Sequence, residues 1–107
     1  MAKLKFQPNP TFKLLVSVPI AGQLEDEEVT FTVKYLTRKQ LGEMVEKADE
    51  SLYDYLCRSL KYLVVGWDLD VEFNEQNLDI LLDNYPQIPE RFKDKYLKEY
   101  LGNAEKN

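Results

Sequence analysis

From Thr11 to Tyr35 apolar side chains recur every second residue, and after Leu36 they recur every three to four. That change of period restricts the possible folds more than any other feature of the chain. Phe12, Leu14, Val16 and Val18 alternate with other residues, and Val29, Phe31, Val33 and Tyr35 alternate with Thr30, Thr32 and Lys34. Period two, rich in β-branched and aromatic residues, predicts two strands with one apolar face each. Between them, Pro19 to Glu28 holds Gly22 and the acidic run Glu25, Asp26, Glu27 and Glu28, which reads as a solvated loop joining an antiparallel hairpin. Upstream, residues 1–10 read as a flexible arm, because Pro8 and Pro10 in Gln7-Pro8-Asn9-Pro10 exclude regular structure.

The helical part opens on Thr37-Arg38-Lys39-Gln40, a capping box in which hydroxyl and amide satisfy the first free N–H groups. Leu41, Met44, Val45 and Ala48 follow at helical spacing, with Gly42 weakening that helix by about 1 kcal/mol relative to Ala. Asp49 or Ser51 caps a second helix whose apolar face is Leu52, Tyr55, Leu56, Leu60, Leu63 and Val64, stopping near Gly66. Trp67 to Phe73 reads as a linker with alternating acids. Asn74 is an N-cap for a third helix with Leu78, Leu81, Leu82 and Tyr85, ended by Pro86. Pro89 sits in the first turn of a fourth, with Phe92, Tyr96 and Tyr100 on one stripe and Gly102 as its stop. Residues 103–107 read as a frayed tail. The expected fold is α+β, one domain over 1–107: an N-terminal antiparallel β-hairpin followed by about four α-helices. A chain of 107 residues hides roughly two-thirds of its unfolded surface, enough for one modest core.

Charge and residue inventory exclude several function classes. The formal net charge is −5, and nucleic acid calls for a basic field that displaces counterions from phosphate. Mixed or acidic helix faces are repelled by anionic lipid, and no apolar run approaches the roughly 20 residues of a membrane span. Neither nucleic acid nor membrane is therefore an expected partner. The absence of histidine removes the commonest general base, zinc ligand and triad member together. Cys57, the one cysteine, cannot form an internal disulfide, and on a core helix it reads as a packed, inert thiol. With four glycines there is no phosphate-cradling loop. No catalytic residue, metal ligand or cofactor is assigned, and the chain reads as a non-enzymatic binding protein of a reducing cytoplasm.

One spacing keeps an alternative open. Asp68, Asp70, Glu72, Asn74, Gln76 and Asp79 occupy positions 1, 3, 5, 7, 9 and 12 of a calcium-loop window. Position 6 requires a sharp turn and has Phe73 instead of Gly, and position 12 carries the short Asp79 instead of a bidentate Glu. The competing reading is an exposed acidic linker that caps the third helix.

Over most of its length the order of motifs resembles the phage tail assembly chaperones of siphophages. The pieces that carry the resemblance are Asn9-Pro10-Thr11-Phe12, Val29-Thr30-Phe31, Val65-Gly66-Trp67, Phe73-Asn74-Glu75, Asn84-Tyr85-Pro86 and the terminal Lys106-Asn107. The matching positions singled out are Pro10, Phe12, Gly66, Trp67, Tyr85 and Pro86. The resemblance implies transient binding of the tape measure protein, contact with the major tail protein, self-association, action in the bacterial host cytoplasm and absence from the mature virion. It also implies a programmed frameshift, with which Glu105-Lys106-Asn107 is compatible because those codons can spell a slippery run. An acid-rimmed apolar groove would suit such a role, giving fast, salt-sensitive association.

Tyr62, Ile80 and Leu97 lie off the main apolar stripes of their helices and are the candidate partner-binding residues. Two rivals to the chaperone reading remain: a calcium-responsive regulatory module using Asp68 to Asp79, and a small structural subunit retained in the tail.

Overall fold

The computed structural model describes residues 3–102. Met1 and Ala2 of the expected arm, and the whole expected tail with its Glu105-Lys106-Asn107 run, lie outside the described residues. Strands β1 (Thr11–Val18) and β2 (Glu27–Lys34) form an antiparallel hairpin in register from Thr11↔Lys34 to Val18↔Glu27. The turn at its far end closes with a 3.0 Å bond from the Gln23 N–H to the Ile20 carbonyl, and Gly22 supplies the positive φ of 86° that its third position demands. Leu14, Val16, Val29, Phe31 and Val33 are buried on one face of this hairpin, as the alternation predicts. The alternation slips at its end. Tyr35, expected to face inward, is exposed where the strand pairing stops, and Leu36 is buried in its place.

Helix α1 (Arg38–Gly42) starts with the expected box: the Thr37 hydroxyl accepts from the Gln40 N–H at 3.2 Å, and the Gln40 amide oxygen accepts from the Thr37 N–H at 2.9 Å. It is far shorter than the apolar spacing through Ala48 suggests. The carbonyls of Met44 and Val45 accept instead from the Tyr55 hydroxyl and the Arg58 guanidinium, each at 2.9 Å, so tertiary donors replace the next helical turn. Gly42 makes that exchange cheap.

Ser51, one of the two expected caps, accepts from the Asp54 N–H at 3.0 Å and opens α2 (Leu52–Leu63). Leu52 is exposed in the first turn, and the buried face begins at Leu56 and continues through Leu60 and Leu63. The helix stops at Leu63, earlier than the expected end near Gly66. Val64 to Trp67 then form a third strand, β3, so the sheet has the order β1-β2-β3 where the sequence suggested a hairpin alone. An apolar run such as Leu63-Val64-Val65 fits helix or strand equally by periodicity. The outer edge of β2 decides it, because extended backbone there pairs Phe31 with Trp67, Thr32 with Gly66 and Val33 with Val64 across one register shift.

Asn74 caps α3 (Glu75–Asn84) through a 2.8 Å bond from the Asn77 N–H. Helix α4 (Ile88–Leu101) carries Pro89 in its first turn and ends on Gly102 at φ 73°, the left-handed geometry that glycine tolerates. Leu60 and Leu63 of α2, Leu78 and Leu82 of α3, and Ile88, Phe92 and Tyr96 of α4 join the inward sheet residues in one cluster. Phe31 meets Phe92 edge-on at 5.7 Å, and the Tyr96 hydroxyl donates to the Lys34 carbonyl at 2.9 Å.

Leu60 has no exposed surface and sits where helices and sheet converge. Leu60→Ala should lower stability by about 2–5 kcal/mol, read as a lower denaturant midpoint at unchanged slope.

Candidate functional site

An apolar groove of about 230 Å³ opens between the α1–α2 connection, α2 and α4. Leu41 and Met44 form one wall, Leu56, Ser59 and Leu63 the floor, and Phe92, Tyr96 and Leu97 the other wall, with Tyr55 and Lys93 also lining it. The helical period of α2 puts Tyr55, Leu56, Ser59 and Leu63 on one side, and that of α4 does the same for Phe92, Tyr96 and Leu97. The Ser59 hydroxyl oxygen is buried yet has no hydrogen-bond partner among the described residues. Such an orphan costs about 1–3 kcal/mol, which a donor or acceptor entering the groove would recover.

The connection that forms the outer wall is held by one polar clamp. Arg58 grips the Glu50 carboxylate with two bonds of 2.8 Å and reaches back to the Val45 carbonyl. Glu50 also accepts from the Lys47 N–H at 3.2 Å. Its carboxyl is lowered from the ordinary 4.5 to about 2, first by the Arg58 hydrogen bonds. Cations from two helices flank Tyr55, with Arg58 at 5.5 Å and Lys93 at 5.4 Å from its ring centre.

The three candidate contact residues do not share one surface. Leu97 lines the groove. Tyr62 is exposed on α2 beside a neighbouring depression lined by Gln40, Glu43, Met44 and Arg58, so Met44 is common to both, and Lys34 lies 4.2 Å above the Tyr62 ring. Ile80 is exposed on α3, outside both linings. Leu41, Met44 and Ser59 are groove residues that sequence reasoning did not single out. Leu41 and Met44 read as the face of a longer helix, and nothing local marks a serine whose hydroxyl will lack a partner.

The positions that carry the resemblance serve the scaffold. The Pro10 carbonyl accepts from the Tyr35 N–H at 2.8 Å, extending the hairpin by one rung. Phe12 packs against Tyr96 at 5.6 Å and Tyr35 at 6.3 Å. Gly66 faces Thr32 across the β2–β3 ladder. Trp67 donates its indole N–H to the Val71 carbonyl at 2.8 Å and meets Phe73 edge-on at 5.1 Å. Tyr85 ends α3, with its N–H on the Leu81 carbonyl at 2.9 Å, and Pro86 follows on the surface.

In the calcium-spaced window, four of the six side chains have other partners, Asp79 being ion-paired with Lys61. Asp68 accepts from the Thr30 N–H at 3.0 Å while its own N–H bonds the Thr30 carbonyl, which prolongs the sheet. Asn74 is occupied by capping, and Glu72 accepts from the Asn74 amide at 3.1 Å. No group of three or more Asp, Glu or Cys side chains suited to a metal occurs among the described residues. Cys57 is half-buried against the core, and burial pushes its thiol up, away from the reactive thiolate. No described helix is long and apolar enough to cross a membrane.

Because the Glu50 carboxyl is depressed in the folded chain, the clamp contributes fully above pH 4.5 and is lost as pH falls toward 2. The Glu50 side-chain carboxyl signal should therefore titrate in NMR at about 2, and Arg58→Gln should return it toward the ordinary 4.5. A Cβ on Gly66 would meet Thr32 only at an ordinary 3.6 Å, and Gly66 has no positive φ. Gly66→Ala should accordingly leave stability unchanged or raise it by up to about 1 kcal/mol in thermal unfolding.

No curated protein and no solved structure matches this chain. A family profile described as phage tail assembly chaperone matches residues 1–107. A match spanning the entire sequence places it plainly: the protein belongs to the phage tail assembly chaperone family.

Proposed function

We propose that this protein works without catalysis, by transiently holding an amphipathic helix of the tape measure protein in the groove between the α1–α2 connection, α2 and α4. The match to the chaperone family over residues 1–107 is the observation that carries this reading. The groove supports it, since two helices and an apolar wall leave a trough of the kind that receives a helix through residues spaced i, i+3 and i+7. Met44 gives that wall an adaptable side chain suited to many similar helices. The wall residues Leu41 and Met44 pack against the core, and the Arg58–Glu50 clamp holds the connection behind them, so the groove is preformed for a helix. Reversible release fits a chaperone that acts in the host cytoplasm and leaves before the tail is complete.

Tyr62 extends the contact surface through Met44, and Leu97 contributes to the groove itself. Ile80, exposed on α3 outside both linings, is suited to a second tail component such as the major tail protein. Among the described residues no feature favours a calcium-responsive module, and the engagement of Asp68, Glu72 and Asn74 argues against it.

Co-expression with the tape measure protein tests the proposal. The wild-type chain should co-purify with it, and Met44→Glu or Leu97→Glu should reduce capture at least tenfold, because each places a charge in apolar surroundings. Capture unaffected by both variants would remove the groove from the reading. Failure of the wild type to bind, or recovery of the chain from finished virions, would remove the proposal itself.

A further inference from the structure

The sheet order β1-β2-β3 leaves the outer edge of β1 without a neighbouring strand. The Tyr35 N–H bonds the Pro10 carbonyl, and in an antiparallel ladder opposed residues exchange such bonds at every second position. Since the register runs unbroken from Thr11↔Lys34 to Val18↔Glu27, Phe12, Leu14, Val16 and Val18 bond inward to β2. Thr11, Lys13, Leu15 and Ser17 therefore turn their N–H and C=O groups outward, where no bond to them occurs among the described residues. Soluble proteins blunt such an edge with proline, a bulge or a charge. β1 has no proline and no bulge, and its one charge, Lys13, is drawn back over the sheet to the Thr32 hydroxyl at 2.7 Å.

A groove of about 410 Å³ follows this edge, with Leu15 and Ser17 on one side and Arg91, Lys95 and Lys98 of α4 on the other. Glu28 and Asp94 are the acids of its lining. Helix α4 accompanies the strand in the opposite direction, from Arg91, ion-paired with Asp26 of the hairpin loop at 3.8 Å, to Tyr100, which meets Tyr35 at 5.2 Å. Neither Lys95 nor Lys98 is paired with a carboxylate among the described residues. The groove proposed for the tape measure helix lies against other residues of α4, Phe92, Tyr96 and Leu97.

We infer that the β1 edge receives a strand from a different protein, an extended segment with a carboxylate at every second residue. Main-chain bonds to the outward groups of β1 hold such a segment, and its side chains, alternating between the two sheet faces, select its sequence. Those on the helix side meet Arg91, Lys95 and Lys98, which span about 10 Å of α4. Carboxylates two residues apart lie about 7 Å from each other along a strand, so two of them fit that row of cations. The side chains between them lie beside Leu15, which is 44% exposed, and are apolar. The chain's own acids do not fill the edge, because Glu27 and Glu28 are already paired with Val18 and Ser17 inside the hairpin.

The probe is a capped ten-residue peptide alternating Glu and Val, followed by NMR of the full chain, with a Lys and Val peptide as its opposite. The Glu peptide should shift the amide signals of Lys13, Leu15 and Ser17 and slow their hydrogen exchange, more weakly as salt is added, and the Lys peptide should not. Leu15→Pro removes an outward N–H that β2 does not use, so it should abolish binding while thermal unfolding stays cooperative. Lys95→Glu with Lys98→Glu keeps the edge intact; it should weaken binding of the Glu peptide by about tenfold or more and transfer the preference to the Lys peptide. Absence of Glu-peptide binding, equal binding of both peptides, or a preference unmoved by the α4 variant would each overturn the inference. So would protection of the same amides that rises with protein concentration alone, since the edge would then belong to a second copy.

Discussion

Phe31, at the centre of β2, has no exposed surface, and its ring meets Phe92 of α4 edge to face. A three-stranded sheet with one apolar face cannot remain in water unless that face is covered, and the cover here is α4 with α2 beside it. From Phe92 the aromatic contacts continue through Tyr96 to Phe12, Tyr100 and Tyr35, so the sheet end and the helix end are bound in one ladder. The Tyr96 hydroxyl ties the ladder to the backbone at Lys34. Burial raises the pKa of that phenol, so it stays a neutral donor. With that layer in place, the free sides of α2 and α4 become the floor and wall of the groove.

The groove is thus a consequence of how the core is built. Leu56, Leu63, Phe92 and Tyr96 serve core and groove at once. The outer wall, Leu41 and Met44, packs against the same core, and the connection behind it is pinned where the Tyr55 hydroxyl and Arg58 guanidinium donate to the Met44 and Val45 carbonyls and Arg58 pairs with Glu50.

Much of the scaffold was legible from local chemistry. The caps at Thr37, Ser51 and Asn74, the glycines at positions 22 and 102, and the inward residues of the first two strands all act over a few residues. The end of α1, the strand at Val64–Trp67 and the slip at Tyr35 were not legible, because each depends on a distant partner: the Tyr55 and Arg58 donors, the open edge of β2, and the limit of β1 pairing. Of the three candidate contact residues, Leu97 falls in the groove, Tyr62 beside it and Ile80 elsewhere, since a helical wheel cannot say which neighbour each side will meet.

Sequence alone determined the local scaffold, since its change of period marks where strands give way to helices and its caps mark where those helices begin. Tertiary structure decided the surfaces. Only packing brought Leu41 and Met44 together with Leu56 and Leu97 and left the Ser59 hydroxyl without a partner among the described residues. The reason is range. Caps, turns and alternation are set by neighbours along the chain, whereas a groove is a relation between elements that only the closed core brings together.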